Sequence, residues 1–225
     1  MLLMMVEKGM RIDRIICVDT TKEFPAMYRH IEKVQEYINP LKIEIVKIDF
    51  DYWFGQHIKT KGKNIGKIGY GFPDFRNRWC TALKQEAYGR ICASMPYNRR
   101  KRGGVNLIPA DAVEYHGIAF DENHRTKNNS GRNIKYPLVE WGITEKQALE
   151  YCYSKGLNWD GLYEKFSRVS CWCCPMSRIG ELRVLCKEFP ELWAELKEMD
   201  KKSYRKFRSD YSVNQLEDKF KYYIY

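Results

Sequence analysis

The segment Ser170-Cys171-Trp172-Cys173-Cys174-Pro175 places three thiols within four residues, the most specific chemical signal in this chain. Thiols spaced so closely can meet one metal ion or an iron–sulfur cluster at little cost in chain entropy. A redox-active or persulfide-carrying thiol and plain packing are the other readings of the same pattern. Four-fold thiolate ligation needs one more cysteine, and Cys80 in Arg78-Trp79-Cys80-Thr81 is the best placed, where a glycine-rich loop gives way to a helix. Adjacent Cys173 and Cys174 must both turn toward one centre, which is awkward around a single tetrahedral zinc. The expectation is therefore a four-iron, four-sulfur (4Fe-4S) cluster on Cys80, Cys171, Cys173 and Cys174, with zinc as the alternative. Cys17 falls in a strand core, and Cys92, Cys152 and Cys186 fall on apolar helical stripes, where cysteine acts as a small hydrophobe.

A second constellation suits anions. Arg78, Lys84 and Arg125 offer guanidinium and ammonium groups that can grip phosphate or sulfate oxygens. Asp19-Thr20 and the stretch Asp121-Glu122-Asn123-His124-Arg125 each follow a strand-like run, the position from which open parallel sheets bind ligands. A carboxylate and a hydroxyl there can hold ribose or order a metal. The plain alternative for Asp19-Thr20 is an ordinary loop start. His30, His57, His116 and His124 show no ligand spacing, and surface or packing roles suit them.

These side chains need elements to position them. Arg14–Val18 is a β-branched run suited to a buried parallel strand. From Pro25 the period becomes helical, with Met27, Ile31, Val34 and Ile38 on one face and Asn39-Pro40 as the stop. Lys42–Ile48 alternates as a second strand, and residues 49–80, with Gly55, Gly62, Gly66, Gly69, Gly71 and Pro73, read as a long loop. A helix over Thr81–Met95 carries Leu83, Ala87, Ile91 and Met95, and Ala112–Phe120 reads as a third strand. This order predicts an α/β fold with a parallel sheet covered on both faces. Thr144-Glu145-Lys146-Gln147 is a capping box. It opens a helical carboxyl-terminal third, with further helices near 177–188, 190–206 and 212–221. The simplest organisation is one domain over 1–225, with the sheet and crevice in 1–140 and a helical cap carrying the cysteines in 141–225.

The composition of 44% hydrophobic and 14% aromatic residues argues against disorder as the default. The apolar opening Met1–Val6 is too short to span a bilayer and lacks the order of a secretory signal, so a cytoplasmic protein without membrane contact is expected. In that reducing compartment clustered cysteines bind metal or react rather than pair. A formal charge of +10 and a pI near 9.1 favour anionic partners. The basic residues concentrate in 76–102, where Arg76, Arg78, Lys84, Arg90, Arg99, Arg100, Lys101 and Arg102 face the single acid Glu86; nucleic acid is a possible partner there, and a solvated loop is the plain alternative.

Taken together and in order, these pieces resemble the phosphoadenosine-phosphosulfate-reductase family of the PP-loop (adenine nucleotide α-hydrolase-like) superfamily, especially its phage- and mobile-element-like members. The matching stretches are Ile16–Thr20 with Glu23-Phe24-Pro25, Arg78–Thr81 through Lys84, and Gly117-Ile118-Ala119 with Asp121, Glu122 and Arg125. Tyr136-Pro137-Leu138 with Glu140-Trp141, and Gly161-Leu162-Tyr163 through Arg168 to Pro175, complete them. The resemblance implies a Rossmann-like parallel sheet that binds an adenine nucleotide, ATP or phosphoadenosine phosphosulfate, at its carboxyl edge. It puts Asp19 near the nucleoside and Arg78, Lys84 and Arg125 near phosphates or sulfate, with Thr20, Asp121, Glu122 and Arg168 in the matching motifs. In cluster-bearing relatives the segments around Cys80 and Cys171–Cys174 hold a 4Fe-4S centre.

The sequence departs from that pattern twice. Family members open with a strand leading into a Ser-Gly-Gly-Lys-Asp-Ser-like phosphate loop, whereas Met1–Gly9 here resembles the second half of the helix that follows such a loop. The expectation is a sheet lacking its first strand and PP-loop, and either impaired catalysis by this polypeptide alone or a misplaced start. Sulfonucleotide reductases also carry a Glu-Cys-Gly-like tail, while no cysteine follows Cys186 here, so ATP-dependent sulfur transfer or adenylation fits as well as reduction. The rival readings are a zinc-stabilised, basic nucleic-acid-binding protein and an inactive remnant of a mobile-element gene.

Overall fold

The computed structural model describes residues 1–62, 64–93, 112–127 and 133–222. Arg99–Arg102, Met95 and the end of the sequence lie outside the described residues. The side chain of Cys92 does as well.

The chain is mixed α/β. Its elements in order are α1 (Leu2–Glu7), β1 (Ile15–Asp19), α2 (Pro25–Tyr37), β2 (Ile43–Lys47), α3 (Phe50–Gly55), α4 (Trp79–Ala93), β3 (Glu114–Tyr115), a 3-10 helix (Phe120–Lys127) and β4 (Ile134–Lys135). Helices α5 (Pro137–Glu140), α6 (Glu145–Ser154), α7 (Leu162–Lys165), α8 (Ile179–Glu188), α9 (Pro190–Lys202) and α10 (Val213–Tyr222) follow. Among the described residues the strands form two pairs, β1 with β2 and β3 with β4. The second pair is parallel, with Glu114 opposite Ile134 and Tyr115 opposite Lys135. Among the described residues no helix is long and apolar enough to cross a membrane.

Two of these elements differ from the sequence reading. The strand expected over Ala112–Phe120 is paired only at Glu114–Tyr115, because β4 offers two residues to pair with and the 3-10 helix starts at Phe120. The expected loop 49–80 contains α3, which Asp49 caps by accepting from the Tyr52 N–H at 2.9 Å.

Two compact units compose the chain. The first comprises Met1–Cys17, Arg29–Ile45 and Gln85–Trp159. Its core gathers Leu3, Ile38 and Leu157, with Val34, Ile43, Tyr151 and Cys152 packed around them. Thr144 and Gln147 complete a reciprocal capping box at the start of α6, which satisfies backbone donors that would otherwise have no partner. The Glu7 carboxylate accepts from Tyr37 Oη at 2.5 Å, Tyr151 Oη at 2.6 Å and Lys155 Nζ at 2.6 Å. The Lys155 ammonium, followed by the two phenols, pulls Glu7 from the usual carboxylate range to about 2.

The second unit comprises Val18–Tyr28, Val46–Lys84 and Asp160–Tyr225. Helices α8, α9 and α10 pack on one another and bury Leu182, Leu185, Leu196, Val213 and Leu216. Phe72 sits edge-on between Phe54, at 4.9 Å, and Phe207, at 5.0 Å. The chain returns past α3 through Tyr70 N–H to Trp53 O at 2.8 Å and Gly71 N–H to Phe54 O at 3.0 Å. Gly69 makes this approach possible. It holds φ +72°, and a Cβ there would overlap the Phe54 carbonyl and lie 2.8 Å from Gly55 Cα.

Gly69→Ala combines a left-handed backbone with a backbone clash, so it lowers stability by more than about 2 kcal/mol, read as a fall in denaturation midpoint. For Glu7 the folded-state pKa lies below the unfolded one. Its contribution is complete above the ordinary value of 4.5 and is lost as pH falls toward about 2. Acid titration of Glu7→Gln by circular dichroism therefore shows a shallower loss of stability across that window than the parent.

Candidate functional site

The carboxyl end of β1 sets the site. Asp19 and Thr20 are buried there. The Asp19 carboxylate accepts from the Thr21 N–H at 2.7 Å and from Tyr28 Oη at 3.0 Å, while its carbonyl accepts from the Ile48 N–H at 2.8 Å. The turn that follows puts Thr21 at φ +62°, a conformation its own hydroxyl supports by donating to the Thr20 carbonyl at 2.6 Å. Burial, with the Asp19 carboxylate as acceptor, raises the Tyr28 phenol and keeps it protonated as a donor.

One carboxylate oxygen then collects three polar groups. Glu23 Oε1 accepts from Thr20 Oγ1 at 3.2 Å, from the Cys171 thiol at 3.3 Å and from Lys84 Nζ at 3.3 Å. Thr20 Oγ1 also lies 3.4 Å from Cys171 Sγ. The four residues come from the end of β1, the turn before α2, the second turn of α4 and the cysteine segment. Burial pushes the Cys171 thiol up to about 12, the Glu23 carboxylate adds to this, and Lys84 opposes it. Burial alone would lower Lys84, but Cys171, Glu23 and Cys80 outweigh it and raise the ammonium.

The cysteine segment is a tight turn, with the Cys174 N–H donating to Cys171 O at 3.1 Å. It is fastened at both ends. The Trp172 N–H donates to the Lys22 carbonyl at 3.1 Å, and Arg208 Nη1 donates to the carbonyls of Pro175 at 2.8 Å and Ser177 at 2.9 Å. The Lys22 ammonium, with 7% of its side chain exposed, lies 3.0 Å from Asp51 and 2.8 Å from Glu195, over the rings of Phe50 and Trp172. Those two carboxylates overcome the cost of burial and raise the Lys22 pKa.

Cys80, in the first turn of α4, belongs to the same unit as Cys171, Cys173 and Cys174, and none of the four is in a disulfide. Cys173 is buried; burial and then the neighbouring Cys171 and Cys174 thiols raise it far above its usual value. Burial also raises Cys174, with Cys80 adding to the shift and Arg168 and Arg78 opposing it. The donors therefore match a thiolate-held centre in kind, and they are electrostatic neighbours. As placed, no three metal-ligating side chains among the described residues close on one ion.

The remaining candidates are placed differently. Arg78 and Arg168 are exposed, and the Arg78 guanidinium lies over the Phe75 ring at 5.7 Å. Asp121, Glu122 and Arg125 belong to the other unit. There Arg125 Nη1 donates to both Glu122 oxygens, at 2.7 and 2.6 Å, and Asp121 accepts from the Glu145 N–H at 3.0 Å at the start of α6. Sequence reasoning gave Glu23 no role beyond a motif match and gave Lys22 none. Glu23 could have been found as a carboxylate three residues beyond Thr20. Lys22 carries no local signal, since its partner Glu195 is 173 residues away.

A curated protein of Methanocaldococcus jannaschii, described as uncharacterized, is 28% identical to this chain over 195 residues, covering 82% of this chain and 35% of that protein. The chain spans about a third of the length of that relative. No family model matches the chain, and no solved structure does.

In chelator-treated protein, Cys171 is alkylated far more slowly than a free thiol near neutral pH, because so little of it is thiolate. Glu23→Gln removes the second cause of the raised pKa and accelerates that alkylation, which peptide mapping by mass spectrometry follows.

Proposed function

We propose that this chain is an adenine-nucleotide- or sulfonucleotide-processing enzyme of the phosphoadenosine-phosphosulfate-reductase type, with a Rossmann-like ancestry and a cysteine-held iron–sulfur centre. The observation that carries the reading is the meeting of Thr20, Glu23, Lys84 and Cys171 at the carboxyl end of β1. In an open α/β architecture this edge is where ligands bind, and the motifs that resemble the family bring these residues to it.

Lys84, Arg78 and Arg168 supply cations suited to phosphate or sulfate, and Asp19 and Thr20 supply groups suited to a nucleoside. Lys84 is shared between Glu23 and the incoming anion, so binding weakens its hold on the carboxylate. Cys80, Cys171, Cys173 and Cys174 would hold the iron–sulfur centre, which supplies electron storage or polarisation beside the bound nucleotide. Sulfur transfer and α-β phosphate cleavage of ATP are the reactions consistent with these groups.

Anaerobic purification tests the centre: a brown protein with broad absorption near about 400 nm and about four irons per chain is expected. Cys80→Ser and Cys174→Ser lower the iron content, while Cys186→Ser retains it. Colourless protein with stoichiometric zinc overturns the cluster. Calorimetry with ATP and with phosphoadenosine phosphosulfate tests the nucleotide site, where Lys84→Ala weakens binding at least about tenfold. Absence of binding to both overturns that assignment.

A further inference from the structure

Between Asp51 and Asp74 the sequence contains no acidic residue, yet it carries Lys59, Lys61, Lys63 and Lys67. In the second unit, residues 57–62 and 64–69 fold back on each other as a finger. Ile58 and Ile68 form an antiparallel bridge, the Lys59 N–H donates to Lys67 O at 3.0 Å, and the Gly66 N–H donates to Lys59 O at 2.9 Å. Lys61 and Lys67 are exposed and Lys59 is buried, its ammonium donating to the Tyr204 hydroxyl; no carboxylate pairs with any of the three among the described residues. Ile58, Ile65 and Ile68 are 59%, 66% and 61% exposed, which is costly for isoleucine unless something covers it.

The root of the finger is aromatic. The His57 ring lies tilted against Trp53 at 4.4 Å and stacks on Tyr70 at 5.3 Å, and Tyr70 stacks on Trp79 at 5.6 Å. Beside them the half-exposed Tyr204 ring holds the Lys59 ammonium at 5.0 Å and the Lys67 ammonium at 4.9 Å. Phe75, 77% exposed, lies under the Arg78 guanidinium.

We propose that this finger is a docking surface for a single-stranded nucleic acid. The exposed ammoniums of Lys61 and Lys67, which no carboxylate neutralises among the described residues, suit neighbouring phosphates, and the exposed Tyr204 and Phe75 rings suit stacked bases. The isoleucines give apolar cover to bases or sugars, as wedge residues do in other nucleic-acid complexes. A membrane is the less suitable occupant. Insertion needs several apolar groups at the tip, whereas Ile65 is the one apolar side chain at the turn among the described residues, beside Lys61, Gly62 and Asn64, and Ile58 and Ile68 face each other nearer the root. The inference shares only Arg78 with the nucleotide reading, and the variants that test it leave Arg78 unchanged.

Fluorescence anisotropy with labelled oligothymidylate and oligouridylate, and flotation with anionic phosphatidylserine vesicles, test it. Both strands bind the parent, and affinity falls at least about tenfold between about 50 and about 200 mM salt. Lys61→Glu with Lys67→Glu lowers affinity at least about tenfold and reduces the salt slope by about 1.4, without change in melting temperature. Ile58→Ser with Ile68→Ser lowers affinity at an unchanged slope. Iron content and ATP binding stay at parental values in both variants, which separates this result from the fate of the nucleotide site. The proposal is overturned if neither strand binds, if the double charge reversal binds as tightly as the parent, or if vesicles capture the protein while oligonucleotides do not.

Discussion

The buried ammonium of Lys22 is the constraint around which the second unit is organised. Placing a cation among Phe50 and Trp172 costs several kcal/mol unless opposite charge comes with it, and Asp51 and Glu195 supply that charge. These carboxylates belong to α3 and α9, so one side chain ties two helices to the turn after β1. Its own carbonyl receives the Trp172 N–H, which places Cys171 and Cys173 on either side of the tie. The cysteine turn is thus positioned by an ion-pair hub rather than by regular secondary structure.

Next to that hub, Glu23 acts in the opposite sense. A carboxylate facing a thiol resists formation of a thiolate, while Lys84 on the same oxygen moderates the effect. The balance among these three groups decides how much of Cys171 is available as an anion. A ligand that draws Lys84 away, or a positive centre that approaches the thiols, shifts the balance by ordinary electrostatics.

Local rules carried much of the architecture. The capping box at Thr144–Gln147, the 3.6-residue period of α2 and the helices near 179–188, 190–202 and 213–222 follow from spacing and caps that each segment carries in itself. Met1–Gly9 read as half a helix, and α1 is helical over Leu2–Glu7. The reading failed where a distant partner decides. Helix α3 hides among glycines because its stability comes from Phe50 and Phe54 packing on Trp79 and Phe72. The contacts of Cys171 with Thr20 and Glu23 span 151 and 148 residues, so periodicity gives no hint of them. Thiol identity and clustering were visible from spacing; the carboxylate that faces Cys171 was not.

Two of the indole rings lie beside the thiols in sequence. Trp172 is held between Cys171 and Cys173 with the Lys22 ammonium 5.5 Å from its ring, and Trp79 directly precedes Cys80 while donating from its indole N–H to the Gly71 carbonyl at 3.0 Å. Both are almost fully shielded from water. Indole emission responds to nearby charge, to heavy atoms and to electron transfer, so any change of ligation or oxidation at these sulfurs is written into the intrinsic fluorescence of the chain. The packing that anchors the cysteines thereby gives them an optical reporter without any added label.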